Sequence, residues 1–258
     1  RAAALAALVC GLVALGVPRL IAALPEPEEP RPAGPEEPPP SEAPSVVPGH
    51  TEETPASVAG GHKEPYADVA ALPGLAWKSA VAAAAAGALV GLATGWDWAL
   101  VVLLPLVPVG VALAVVDWRT RYLPTRLIAP SYAVVVVLVL AGWAVTGDAG
   151  DVVRAGWGWL VAGGLYVALW LVHPRGLGYG DVRLSGVLGL ALGYAGWGPL
   201  LVGVYAGFLL GGVVGGLLSL LRVVERKGVP FGPFMLVGAL LGVLWGEALV
   251  GSLVTGRG

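Results

Sequence analysis

The chain has 258 residues, 57% of them hydrophobic and 12% charged, with a formal net charge of −2. A soluble domain of this length is excluded by so apolar a composition, and apolar runs of about 18 residues or more read as membrane-spanning helices. The net charge itself says little about partners, among which no nucleic acid is expected, and the single cysteine, Cys10, excludes an intrachain disulfide and a Cys-rich zinc site.

Eight apolar segments follow in chain order, at about 2–24, 78–95, 98–116, 127–146, 153–172, 182–196, 198–221 and 231–253. The first reads as a retained helix rather than a secretory signal. No small-residue cleavage site follows its apolar run, which passes straight into Pro18-Arg19. Residues 25–77 are of another kind. They hold thirteen of the twenty-two prolines, and ten of the seventeen acids lie between Glu26 and Asp68. Such a stretch cannot bury enough apolar surface to order itself and reads as a disordered Pro/Glu-rich loop. The expected organisation is therefore a first transmembrane helix (1–24), a loop (25–77) and a seven-helix membrane domain (78–258). The fold class is all-α, a polytopic transmembrane bundle of about eight helices. The sixth segment is short and Gly-rich, which suits a tilted or broken helix.

Lys and Arg positions set the orientation. With loop 25–77 in the cytoplasm, Arg19, Arg31, Lys63, Lys78, Arg119, Arg121, Arg126, Arg175, Arg183, Arg222, Arg226 and Lys227 are inside, against Arg1, Arg154 and Arg257 outside. Twelve against three is the bias expected of a correctly oriented chain. It brings Asp117, at the end of the third segment, and Asp181, at the start of the sixth, to the cytoplasmic face.

Each Asp has an idle reading when taken alone. Asp117 precedes Trp118 to Pro124 and reads as a solvated acid at a helix end. Asp181, in Gly178-Tyr179-Gly180-Asp181, reads as an N-cap, for which Asp is favoured. Taken together they read as a catalytic dyad. Peptide hydrolysis by two carboxylates needs one ionised, to take a proton from water, and one protonated, to donate to the scissile carbonyl. Two like charges in close contact hold one shared proton by default. Among the other polar residues, His173 and Arg175 read as interfacial, and Asp97, between Trp96 and Trp98, as an outer turn. Glu247, near Trp245 in the last segment, reads as an acid in a packing or outer-interface role.

Three stretches together resemble the prepilin peptidases, a GxGD class of intramembrane aspartyl proteases. They are Ala114-Val115-Val116-Asp117 with Leu123-Pro124; Gly178-Tyr179-Gly180-Asp181-Val182-Arg183; and Lys227-Gly228-Val229-Pro230-Phe231-Gly232-Pro233-Phe234. The resemblance covers about 98–253. It implies that Asp117 and Asp181 are catalytic, and that Gly178, Gly180, Arg183, Phe231, Gly232 and Pro233 bind substrate or shape the site. Arg183 stands where the family usually has Lys, and Thr125 where it usually has Asn or Asp. Many members carry a cytoplasmic domain with two Cys-x-x-Cys pairs after the first helix and also methylate the new N-terminus. Residues 25–77 have no such pairs, so the resemblance extends to the peptidase and not to the methyltransferase.

The resemblance further implies a multi-pass protein of the bacterial inner membrane, with its site at the cytoplasmic face and no cofactor or metal. The implied partners are the lipid bilayer and a prepilin-like substrate, possessing a basic leader ending in Gly before an apolar helix. Short forms of this kind suit Flp-type (Tad) pili or competence pseudopili. Two other readings of paired Asp residues stay open at this stage: a proton-coupled transporter, which leaves substrate proteins uncut, and a non-catalytic scaffold of a secretion machine, which tolerates Asn at both positions.

Overall fold

The computed structural model describes residues 1–26, 64–172, 177–221 and 230–256. His173, Arg175, Lys227 to Val229 and most of the 25–77 stretch lie outside them. All regular structure among the described residues is helical. The first apolar segment forms α1 (Ala2–Ala14) and α2 (Val17–Ala22). The break falls at Leu15-Gly16, just before Pro18, which fits the first turn of a new helix but not the interior of an old one. A short helix, α3 (Tyr66–Ala70), follows, then α4 (Leu75–Thr94).

The third segment is likewise divided, into α5 (Trp98–Leu103) and α6 (Leu106–Thr120), at Leu104-Pro105. The two together still have the length and hydropathy to cross a membrane. The remaining helices are α7 (Thr125–Thr146), α8 (Ala149–Val172), α9 (Tyr179–Ala195), α10 (Trp197–Leu220) and α11 (Gly232–Thr255). Each of the eight apolar segments is thus a helix or a broken pair. Five spans meet the length and hydropathy needed to cross a bilayer: α4, α5 with α6, α7, α8 and α11.

Helix α3 lies inside the stretch whose composition reads as a loop. Tyr66 and Val69 are buried, so an apolar face within 66–70 orders this part of it. The Glu26 carboxylate accepts the backbone N–H groups of Tyr66 and Ala67 at 3.0 and 3.3 Å, which supplies two of the orphan donors at the start of α3. Glu64 takes the Arg119 guanidinium in a two-pronged pair, at 2.7 and 2.5 Å. That contact holds the Glu64 carboxyl below the usual carboxylate range. The described ends of the loop are therefore tied to each other and to α6, two residues beyond Asp117.

Small residues set the helix contacts, because without water between helices the backbones must approach closely to gain packing energy. In α8 and α9, Gly158 faces Gly189 and Gly193; in α10 and α11, Gly203 and Gly207 face Gly238 and Gly242; in α1 and α4, Ala3 faces Gly91 and Cys10 faces Gly87. Gly211 differs: its neighbour is the Phe231 ring rather than a helix backbone. At the end of the bundle away from Asp117, Arg154 donates to the carbonyls of Gly193 and Tyr194, both at 2.7 Å, and pairs with Asp151. A cation there completes the C-terminal end of α9. Glu247 is exposed and reaches the Gly196 turn between α9 and α10 at this same end.

Two neighbouring glycines of α8 give a test. A Cβ at Gly158 runs into the Gly189 carbonyl, whereas one at Gly156 meets nothing within 4 Å. Gly158→Ala should cost about 1–3 kcal/mol by overpacking. Gly156→Ala should be neutral or stabilising by about 0.5–1 kcal/mol through helix propensity. Thermal unfolding of the two variants in one detergent checks the opposite signs.

Candidate active site

The site forms where three helix ends meet: the C-terminus of α6 and the N-termini of α9 and α11. Helix α6 ends because Arg121 adopts a left-handed conformation, with φ 54°, and its N–H closes on the Asp117 carbonyl at 2.8 Å. Pro124, whose ring cannot continue a helix but suits the start of one, then caps α7. This turn leaves Asp117 in the last turn of α6, facing inward. It is 4% exposed, so it is not a solvated acid at a helix end. Its Oδ2 accepts the backbone N–H of Gly232 at 2.9 Å. A side chain at residue 232 would occupy the same space, since a Cβ would lie 2.8 Å from that oxygen.

Asp181 is the third residue of α9, not its N-cap; Gly178 holds that position. The carboxylate reaches back to accept the Gly178 N–H at 3.0 Å, the acidic half of a capping box. It is 7% exposed. Gly180 lets α9 approach the α6–α7 turn, because a Cβ there would lie 2.7 Å from Leu123 Cβ. Asp117 and Asp181 line one cavity of about 280 Å³, together with Arg121, Tyr122, Leu123, Gly178, Tyr179, Gly180 and Arg183. Both acids are thus buried and oriented by main-chain donors, each through a single oxygen. Among the described residues, no group of three or more His, Cys, Asp and Glu side chains gathers in one place.

Arg183 enters the cavity from the first turns of α9. Its guanidinium lies over the Tyr179 ring, 4.5 Å from the centroid, and donates to the Thr125 hydroxyl at the start of α7. The Arg183 carbonyl accepts the Tyr132 hydroxyl at 2.9 Å, which ties α9 to α7. Of the eight residues picked out in the sequence, five line this cavity: Asp117, Asp181, Gly178, Gly180 and Arg183. Gly232 reaches it through its hydrogen bond to Asp117. Phe231 turns away and packs on Phe208 and Tyr166, with centroids 5.7 and 6.1 Å apart. Pro233 faces a different, apolar cavity.

Sequence reading missed Arg121, Tyr122 and Tyr179 as lining residues, and Tyr166, buried against Phe208 and Phe231. The signal for Tyr166 was present: it is a lone phenol within the apolar run of α8.

Known proteins resemble this chain in sequence. Residues 104–220 match the Type IV leader peptidase family. The prepilin leader peptidase/N-methyltransferase of Aeromonas hydrophila is 34% identical over 161 residues, covering 61% of this chain and 53% of that protein. The protein of the same name from Pseudomonas putida is 30% identical over 183 residues, 64% of this chain and 58% of that one. Leader peptidase HopD of Escherichia coli is 34% identical over 102 residues, 37% of this chain and 63% of the relative. The chain spans about half the length of the curated Aeromonas relative. No solved structure matches it.

The two motif glycines differ in their surroundings, and this can be measured. Gly180→Ala presses a Cβ onto Leu123 and should lower stability by about 1–3 kcal/mol. Gly178→Ala brings a Cβ no closer than 3.1 Å, to the Asp181 carboxylate, and should cost less. Tm values in detergent should fall in that order.

Proposed function

We propose that this chain, which carries a Type IV leader peptidase family domain over residues 104–220, is an aspartic endopeptidase that removes the leader from prepilin-like proteins. One observation carries the reading: Asp117 and Asp181, from different helices, are both buried in the wall of one cavity at one end of the bundle. Carboxylates are seldom placed at such positions in a membrane protein unless they serve a function.

The chemistry needs only the dyad and water. One carboxylate is ionised and takes a proton from a water held between them, and the water oxygen bonds to the scissile carbonyl carbon. The other is protonated and gives its proton to the carbonyl oxygen. The tetrahedral gem-diol then collapses: one hydroxyl returns its proton to the ionised Asp, the C–N bond breaks, and the leaving amine takes the proton that the other Asp took from water. This is the division of labour of aspartic proteases, in which like charges at close range share one proton. Gly232 and Gly178 hold one oxygen of each carboxylate, so the other is free to turn towards water. Arg183 supplies a cation beside the dyad, on a planar guanidinium that stacks on the Tyr179 ring.

The Lys and Arg bias supports a cytoplasmic position for this end of the bundle and a multi-pass protein of the inner membrane. The substrate is then a protein with a basic leader ending in Gly before an apolar helix, Flp-type (Tad) pilins included. The relatives from Aeromonas and Pseudomonas are named as N-methyltransferases as well. For this chain the reading is of a peptidase alone.

Asp117→Asn and Asp181→Asn keep side-chain size but abolish proton exchange. Each should insert normally and cut at least about 10²–10⁴-fold more slowly, the range of a general acid–base contribution. Reconstituted chain and a prepilin-like substrate, followed by N-terminal sequencing of the product, test this. Wild-type cleavage by either variant overturns the dyad.

Product cut by the purified chain should have the same intact mass with and without S-adenosylmethionine. A donor-dependent gain of about 14 Da, one CH₂ added covalently, would overturn the peptidase-only reading.

A further inference from the structure

The second large cavity is apolar and is not part of the catalytic wall. Its volume is about 240 Å³. On α6 it is lined by Ala114, Gly110 and Val107. These lie three, seven and ten residues before Asp117, so they form one helix face with it. On α11 it begins at Pro233, next to the Gly232 that binds Asp117, and runs down through Leu236 and Leu240. On α9 it takes Leu188 and Leu192, seven and eleven residues after Asp181 and on its face. Helix α4 closes the far side with Ala86 and Val90. All three helices that build the site therefore carry the same order: polar residues at the head, then an apolar stripe beneath. Along α6 alone the stripe reaches about 15 Å below the dyad, at 1.5 Å per residue.

We infer that this groove receives one face of the substrate's apolar helix, the segment that follows the scissile bond. The inference rests on the peptidase reading given above. Three features select that occupant. The groove walls are Ala, Val, Leu, Gly and Pro side chains, which offer nothing to an unpaired peptide group. At membrane depth only a segment whose backbone bonds are internally satisfied can lie there, and that is a helix. The groove runs along the bundle helices, and its head lies beneath the two Asp residues. A helix seated in it delivers its own N-terminal end to the catalytic cavity, where the chain can unwind into polar surroundings. The cavity holds a few side chains rather than a whole helix, so the groove reads a face and leaves the rest of the substrate in lipid.

The probe is a synthetic substrate with a basic leader ending in Gly, followed by an apolar helix of ~20 residues. A photoreactive phenylalanine analogue is placed in the full chain at position 107, 240 or 137, each in an Asp181→Asn background so that the substrate stays whole. Val137 is exposed on α7, away from the groove. Covalent adducts with the substrate helix are expected from 107 and 240 and not from 137. In the active chain, Val107→Trp fills the groove and should lower kcat/KM at least tenfold, mainly through KM, whereas Val137→Trp should not.

Adducts of equal yield at all three positions, or phospholipid adducts at 107 and 240 that the substrate does not displace, overturn the groove while the unmodified chain still cuts. So does wild-type kcat/KM for Val107→Trp. Failure of the unmodified chain to cut the probe overturns the peptidase reading instead, and this inference with it.

Discussion

Two carboxylates buried at one end of a lipid-embedded bundle are the constraint from which the rest of the structure follows. A buried acid without partners is expensive. Here each is held by a backbone N–H from a glycine, Gly232 for Asp117 and Gly178 for Asp181. Both donors lie at helix N-termini, where main-chain N–H groups are unpaired and the positive end of the helix dipole favours an anion. This is why the last turn of α6, which holds Asp117, lies beside the starts of α9 and α11. A helix C-terminus alone would offer carbonyls and repel the charge. Supplying the N-terminus of α11 to the C-terminus of α6 removes that conflict, and Gly232 is small enough to let the carboxylate close in.

The glycine contacts serve the same end from a distance. They fasten α1 to α4, α8 to α9, and α10 to α11 by close backbone approach. Contacts between those pairs rely instead on larger side chains. The interior thus divides into tight seams and wider joints, and both main cavities fall in the joints, between helices of different pairs. A bundle packed uniformly with glycine would be as compact but would leave no space for water beside the dyad. The aromatic cluster of Tyr166, Phe208 and Phe231 fills one such joint and fixes the entry to α11.

Much of the architecture was legible in the sequence, because membrane helices announce themselves by length and hydropathy. Each apolar run appears as a helix, and the two breaks lie beside Pro18 and Pro105, residues visible from the start. Helix α3 was not legible, since it lies in a stretch whose prolines and acids dominate any window. Its order comes from a buried Tyr66 and from Glu26, forty residues away, which no local pattern encodes. At the site, the two Asp and the glycines could be read because their spacing is a motif. The turn to burial could not, because it depends on which helix ends converge. Phe231 and Gly232 show the limit clearly: adjacent in one motif, they point into different spaces, one to an aromatic cluster and one to a carboxylate.

Thr125 and Arg183 are best understood as one departure rather than two. In the resembled family these positions usually hold Asn or Asp and Lys. Here the Arg183 guanidinium donates to the Thr125 hydroxyl, so the two positions meet across the α7–α9 joint. A short neutral acceptor leaves the cation without a carboxylate at that contact. The longer, flat guanidinium then finds its second support on the Tyr179 ring, a stacking that the compact ammonium of lysine does not reproduce. The charge stays directed at the cavity that holds Asp117 and Asp181, whose carboxylates are the ones found among the described lining residues. An acid at residue 125 would compete for that cation. Thr125 thus preserves the arm that positions Arg183 while leaving its charge to act on the two buried Asp residues.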